Sequence, residues 1–483
     1  MELATIPWSR LDPGNPLTRD YLLGKAKDLF PREWREPRAL KEFAAEQAGR
    51  ARPDLGSALA AYNREVGGSA ENAARLAGAC CVISGQQAGL LLGPAYTTYK
   101  LFTVIRAARV LEDELRRPVI PVFWVESEDH DWDEVNRFFW KGRRFRIEAD
   151  LDPGLPVAEI EVDAAAFLAQ AREVVGENDA AWDLVAPERG VARWHVRNLA
   201  RLVAGHGVVF VEPRLLREPM RDFAGRIASS SDALDASLAA DTGYPKRLEP
   251  PDGAYLFDAA GGRTRVPRGA AVPAAWSTDV VSRVLVQNAA FPVVAAVCGP
   301  AEIQYWAQLR GAHEALGVPM PAVLPRDSAT LVEAGIAKDA GKLGLDLEEV
   351  VCGLATEPPA GAADPVAARL RRLAGEADDL RQALEAGRIE LPPNTDKPFR
   401  RTVERLGADL EKLAGRLEDA RAEAEGAGGR RFARGRGHLR PRTGRQARRH
   451  TLFPYLVRHG PELAGRLAES FDPFESGHYL VLL

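Results

Sequence analysis

The apolar positions change their spacing several times along the chain, and each change predicts a different kind of element. Over residues 37–66, Ala, Leu, Glu and Arg dominate at roughly helical apolar spacing, so residues 1–75 are expected to form an N-terminal helical part of the core. From Cys80 onward, short and continuously apolar runs are each followed by Gly, Pro or acidic residues and then by a helical pattern. The clearest are Cys80 to Ile83, Val119 to Val125, Val208 to Val211, Val293 to Val297 and Ala322 to Leu324. Runs that are apolar on both faces suit parallel strands covered by helices, which predicts a doubly wound α/β core over residues 76–360. Two stretches interrupt it with period two: Arg143 to Glu148 with Val157 to Val162, and Tyr255 to Asp258 with Arg263 to Val266 across an Ala-Gly-Gly turn. Both are expected to be β-hairpins, inside connecting segments inserted at about 141–200 and 245–275.

A third pattern covers Asp364 to Ala424. Val366, Leu370, Leu373, Ala377, Leu380 and Leu384 alternate steps of four and three, and Val403, Leu406, Leu410, Leu413, Leu417, Ala420 and Ala424 do the same beyond Pro392, Pro393 and Pro398. Two such seams joined by a proline-rich turn predict an antiparallel helical coiled-coil arm over residues 361–430. With Leu and Val this sparse, the arm is expected to pack on a partner, either the core or a second subunit. From Gly426 to Gly444 the chain turns rich in Gly and Arg. Arg430, Arg431, Arg434, Arg436, Arg440, Arg442, Arg445, Arg448 and Arg449 occur with no acidic residue among them. Aromatic and apolar residues then resume at Phe453 to Val457 and in FDPFESGHYLVLL, so residues 431–483 are expected to return to the core.

Composition narrows the classes. The 483 residues are 46% hydrophobic and 27% charged, a folded globular profile rather than a disordered one. Lys plus Arg (64) against Asp plus Glu (68) leaves 64 − 68 = −4, so no global field draws the chain to nucleic acid or an anionic membrane. Cys80, Cys81, Cys298 and Cys352 have no metal-ligand spacing, and reduced thiols in the cytoplasm are expected. The N-terminus lacks a basic flank and an apolar stretch, and no run of about 18 apolar residues occurs, so neither signal peptide nor membrane span is expected.

Four segments can carry chemistry. In SGQQAGLLLGPAYTTYK a strand ends at Ser84 and Gly85, and a helix beginning near Pro94 carries Tyr96 and Lys100 on one face. Gly85, Gly89 and Gly93 allow close approach of a ligand, and free amides before a helix favour anions. The run matches neither GxxxxGK[ST] nor GxGxxG. A tight glycine connection accounts for the glycines structurally, whereas Gln86 and Gln87 at a strand end point to binding.

The second segment crowds Glu126, Glu128, Asp129, Asp131, Asp133 and Glu134 around His130, directly after the buried run VIPVFWV. Carboxyl ends of strands are where open α/β sheets place ligands, and crowded carboxylates raise one another's pKa into the range of an acid/base group. Competing readings are a cation held by His130 with Asp129 or Asp131, and a helix start with Asp131 or Asp133 as N-cap. No second ligand cluster is visible, so no metal is expected. The third segment is CGPAEIQYW, where Pro300 suits a first helical turn and Glu302 and Tyr305 are the functional candidates. In the fourth, VLPRDSATLVE, Arg326 is a candidate carboxylate clamp or a structural ion pair, and Thr330 with Glu333 fits a capping box. The remaining histidines occur singly, and without GxSxG, HExxH or CxxC the hydrolase and zinc readings have no support.

Together SGQQAGLLLGPAYTTYK, PVFWVESEDHDWDEVN, CGPAEIQYWAQL, VLPRDSATLVE and DPFESGHYLV, in this order from Ser84 to Val481, resemble the bacillithiol biosynthesis cysteine-adding enzyme family. The resemblance implies a Rossmann-like core laid out like class I nucleotidyltransferases, and a coiled-coil arm that mediates homodimerisation. It also implies amide formation between the carboxyl group of L-cysteine and the amino group of glucosaminyl malate, the last step of bacillithiol assembly. HxGH and KMSKS are absent, so the activating cofactor, ATP or another nucleotide, is left open. The Gly/Arg-rich stretch departs from the helix expected there. On this reading Asp129, His130 or Asp131 is the catalytic base, and Ser84, Gly85, Gln86, Gln87, Gly89, Tyr96, Lys100, Glu302, Tyr305 and Arg326 bind substrate. The rival reading is a nucleic-acid or tRNA-linked protein using Arg430 to Arg449, with salt-sensitive binding as its signature.

Overall fold

The computed structural model describes all residues except 1, 51–52, 142, 150, 152–153, 261, 356–364, 386–388, 390, 393–394, 426 and 442–443. Asp364, Pro393, Gly426 and Arg442, named above, therefore lie outside the described residues, as do the side chains of Ala420, Ala424 and Arg430. The chain divides into two compact units, Met1–Leu331 with Gly444–Val481 and Leu483, and Val332–Thr443 with Leu482.

The first unit is built on five parallel strands: β1 (Cys80–Gln87), β2 (Val119–Glu126), β3 (Val209–Val211), β4 (Val293–Cys298) and β5 (Ala322–Pro325), in the order β5-β4-β1-β2-β3. These are the five apolar runs, and both faces of the sheet are covered. Val122, Trp124, Val209 and Val211 join one buried cluster, while Phe123, Val125 and Phe210 join the other, as a pleat of period two requires. The chain moves outward from β1 to β3 and then returns to the opposite side of β1 with β4. The sheet therefore has a topological switch point between β1 and β4, where the following connections diverge and leave a crevice. Register aligns the carboxyl ends there: Gln87 opposes Glu126, and Cys298 opposes Pro325.

Three expectations are corrected. The N-terminal part is not wholly helical: Glu2–Ile6 is a strand in a three-stranded sheet with His478–Leu482 and Ser328–Val332. The first inserted hairpin pairs Arg137–Trp140, not residues 157–162, with Arg143–Arg146, and Phe138 stacks on Phe145 at 4.7 Å. Residues 157–159 form a 3-10 turn whose amides are taken by Asp129 O (2.8 Å) and Ser127 O (2.7 Å), so they have no need of a ladder partner. The second hairpin, Leu256–Asp258 with Thr264–Arg265, is present and gains a third strand at Trp276–Thr278. The capping box is also absent. Thr330 lies inside a strand, and its hydroxyl is bonded to His478 Nε2 at 2.8 Å.

In the second unit, two long helices at Pro365–Glu385 and Asp396–Glu425 pack on each other as the heptads predict. The contact itself is made by small residues. Ala367, Ala374, Ala377 and Ala414 are buried with Leu384 and Val403, whereas Val366, Leu373, Leu406, Leu413 and Leu417 are 36–56% exposed. Gly407 lies 3.6 Å from Ala377 Cβ when given a Cβ of its own, so the helices approach too closely for leucine between them. The Gly/Arg-rich stretch is helical over Ala427–Leu439. Its arginines are not a bare stripe: Arg431 and Arg434 pair with Asp339, and Arg436 lies over Phe432. In the first unit, Arg445 lies over Trp8 and donates to the Asp12 carbonyl.

Candidate active site

A cavity of ≈ 400 Å³ opens at the switch point, lined from the ends of β1, β2 and β4 and from the helices that follow. The end of β1 contributes Gly85, Gln86 and Gln87, and β2 contributes Trp124 and Glu126. Gly85 is required by packing. A Cβ there would stand 3.0 Å from both Cβ and O of Trp124 and 3.5 Å from Arg283 Nη1. Tyr96 and Lys100 project from the first turns of α1 (Ala95–Leu115), whose start follows Gly93 at φ +69 and Pro94. Arg283 comes from α2 (Val280–Ala290), Glu302 and Tyr305 from α3 (Pro300–Trp306), and Arg326 and Arg448 complete the wall.

Lys100 is the anchor of this wall. Its buried Nζ lies 2.6 Å from Glu302 Oε2 and donates to Gly85 O at 2.8 Å and Gln86 Oε1 at 3.0 Å. Burial lowers its pKa, and Glu302 opposes that shift. Glu302 Oε2 also accepts from the Gly299 amide at 2.7 Å, so it both caps α3 and neutralises the lysine. Arg283 donates to Gln287 Oε1 (3.0 Å) and Tyr305 OH (3.2 Å).

Arg326 has no such partner. It is 8% exposed, its Nη1 donates to the Asp327 carbonyl, and its Nε is buried without an acceptor. Among the described residues no carboxylate pairs with it. Burial and the nearby Arg448 push its pKa down to about 10. A buried guanidinium with a second arginine beside it can take a carboxylate or a phosphate.

The acidic segment separates into individually engaged groups. Glu126 stays in the cavity wall, where its Oε2 accepts from Trp124 Nε1 at 3.0 Å and its Oε1 is buried without a partner among the described residues. Burial, helped by Glu128 and opposed by Arg283, raises its pKa to about 7. Glu128 pairs with Arg217 at 2.6 Å. Asp129 accepts from Gln87 Nε2 at 2.6 Å and lies 3.4 Å from Arg263, while His130 and Asp131 are exposed. None of Asp129, His130 and Asp131 lines the cavity; Gln87 is the link between it and Asp129. Their donor atoms lie within 4.8 Å of one another, a spacing that can hold a cation, but Asp129 is already committed to Gln87 and Arg263.

Of the residues expected to bind substrate, Gly85, Gln86, Gln87, Tyr96, Lys100, Glu302, Tyr305 and Arg326 all line the cavity. Ser84 does not: its hydroxyl is buried and donates to Val297 O at 2.6 Å, tying β1 to β4. Gly89 packs against Gly93 and the Val135 carbonyl. Trp124, Arg283 and Arg448 were missed, and Glu126 was counted only as one acid of six. An arginine inside the apolar helical run VVSRVLV was the available signal for Arg283, since such a charge is seldom buried without a role.

The cavity residues fall within segments that known proteins share. Residues 1–227 and 268–327 match the family model described as bacillithiol biosynthesis BshC, N-terminal Rossmann-like domain, and residues 329–483 match its C-terminal coiled-coil domain. The chain belongs to the bacillithiol biosynthesis BshC family. Two BshC relatives, from Symbiobacterium thermophilum and Geobacillus kaustophilus, are 28% and 27% identical to it. The alignments cover 99% of both chains in the first case and 100% of both in the second, and each relative carries the name "Putative cysteine ligase BshC". The BshC fold is therefore a Rossmann-like domain joined to a coiled-coil domain, as the strand and heptad patterns predict. Among the described residues no helix is long and apolar enough to cross a membrane.

Proposed function

We propose that the protein is a cysteine ligase that joins the carboxyl group of L-cysteine to the amino group of glucosaminyl malate, forming bacillithiol in the cytoplasm. The observation that carries this reading is the buried Arg326, which has no carboxylate partner among the described residues, with Arg448 beside it in a cavity that also holds Glu126 and Glu302. Such a wall suits a ligand bearing carboxylates at one end and an ammonium at the other. In this reading Arg326 and Arg448 receive the malyl carboxylates, and the glutamates face the amine. Lys100 holds Glu302 and the Gly85 loop in place. Joining a free carboxylate to an amine requires an activated acyl group, an acyl phosphate or acyl adenylate. ATP or another nucleotide is the activating reagent in this reading.

The test incubates purified protein with glucosaminyl malate, cysteine and each nucleoside triphosphate, then detects bacillithiol by thiol labelling and mass spectrometry. Product formation is expected. Its absence with every nucleotide, while a family member works in parallel, refutes the reading.

Homodimerisation through the arm belongs to the same proposal. Val366 and Leu373 on one helix and Phe399, Leu406 and Leu413 on the other repeat every seven residues and are exposed, the spacing of a seam that a second copy can cover. Light scattering should report a dimer that Leu406→Glu with Leu413→Glu converts to monomer. A monomeric wild type refutes it.

A further inference from the structure

We propose that Glu126 is the proton acceptor for the attacking amine, its Oε1 taking a proton directly from the substrate ammonium. The inference rests on the ligase reading and moves the base from the segment Asp129 to Asp131 into the cavity itself. Three observations carry it. Glu126 is the last residue of β2, so a buried strand fixes its backbone at the switch point. Its Oε2 is held by Trp124 Nε1 at 3.0 Å, which orients the carboxyl group. Its Oε1 is buried in the cavity wall with no partner among the described residues, so it is free to accept from a bound N–H donor.

The other carboxylate of the cavity wall and the acid beside Gln87 are each paired with a cation. Glu302 Oε2 accepts from Lys100 and Gly299, and Asp129 accepts from Gln87 and faces Arg263. The charged groups that act on Glu126 are Glu128 from its own segment, Arg283 from α2 and Arg263 from the second insert, with Lys100 and Glu302 on the same wall. Burial dominates them and leaves the carboxyl group titrating near neutrality, where a group both accepts and returns a proton readily. In the step, one N–H bond of the ammonium breaks, its electron pair stays on nitrogen, and the proton bonds to Oε1. The neutral amine is then the nucleophile for the activated cysteinyl carbonyl.

The experiment compares wild type, Glu126→Gln and Glu126→Asp, each checked for folding by thermal melting. Turnover is followed from acid to alkaline pH, and calorimetry measures the binding of glucosaminyl malate. For Glu126→Gln, kcat should fall about 100-fold or more, with KM for glucosaminyl malate changed less than about threefold. The rise of kcat through neutral pH should disappear, and Glu126→Asp should restore part of the rate and of the rise. A Glu126→Gln enzyme with wild-type kcat and an unchanged rise overturns the proposal while leaving the ligase reading intact. A wild type that neither binds glucosaminyl malate nor forms bacillithiol overturns both.

Discussion

Replacing Lys100 with Met tests whether one buried cation organises the cavity. Lys100 is 3% exposed, and its Nζ reaches Glu302 at 2.6 Å, Gly85 O at 2.8 Å and Gln86 at 3.0 Å. Met keeps the unbranched apolar stem, one atom shorter, and removes all three contacts. Deleting one member of a buried ion pair costs about 3–5 kcal/mol, because the other charge is left stranded. Glu302 is stranded only in part. Its side chain is 20% exposed and still accepts from Gly299 N–H at 2.7 Å, so water entering the cavity recovers some of the loss. About 2–3 kcal/mol is therefore expected for Lys100→Met.

Urea unfolding at neutral pH, followed by tryptophan fluorescence, should show a lower midpoint at unchanged slope. Lys100→Met combined with Glu302→Gln should be more stable than the sum of the two single losses by about 1–2 kcal/mol, since no carboxylate is then stranded. A single-variant loss below about 1 kcal/mol would refute the reasoning, placing the pair among solvent-screened surface bridges. Equal losses with and without Glu302→Gln would show that the Gly85 and Gln86 contacts, not the ion pair, hold the wall.

Three further outcomes are expected. Arg326→Gln should raise KM for glucosaminyl malate about 10- to 100-fold, the cost of one to two charge-assisted hydrogen bonds, with kcat less affected; an unchanged KM counts against the anion site. Gly85→Ala forces a Cβ to within 3.0 Å of Trp124, so a stability loss of about 1–3 kcal/mol and impaired turnover should appear in melts and rates, and wild-type values in both would contradict the close approach. His478 is buried between Ser328 Oγ (2.6 Å) and Thr330 Oγ1 (2.8 Å), and burial lowers its pKa to about 3. Between the ordinary histidine range and that value the unfolded chain binds a proton that the folded one refuses. Stability is thus full above the unfolded pKa and falls as pH drops. His478→Gln should remove about 1.4 kcal/mol per pH unit of that slope between about pH 6 and 4, and an unaltered slope in urea titrations would rule the assignment out.

The core was legible because strands buried on both faces leave a continuous apolar record, and all five runs are strands of one parallel sheet. The first inserted hairpin was misread for the opposite reason. Alternation at residues 157–162 is a weak signal, and what decides that segment is tertiary: Ser127 and Asp129 carbonyls that take its amides. The arm shows a subtler limit. Heptad spacing identifies apolar faces but not which face meets which, and Ala367, Ala374, Ala377 and Ala414 take the contact because alanine permits a closer helix approach.

For the site, residues at strand ends were legible and those arriving from elsewhere were not. Gln86, Gln87, Lys100, Glu302 and Arg326 follow directly from runs whose carboxyl ends must converge at a switch point. Arg283 and Arg448 enter from a helix and from a distant arginine-rich segment, and only the folded chain brings them within reach of the same cavity. The acidic segment shows how proximity in sequence misleads. Six carboxylates within nine residues look like one charged cluster, yet alternation along β2 and the turn after it sends Glu126 into the cavity, Glu128 to Arg217 and Asp129 to Gln87 and Arg263. Burial raises the pKa of Glu126 to about 7 and also raises those of Glu128 and Asp131, the last with help from Asp129, so the shifts follow the surroundings of each acid in the fold rather than its crowding in the sequence.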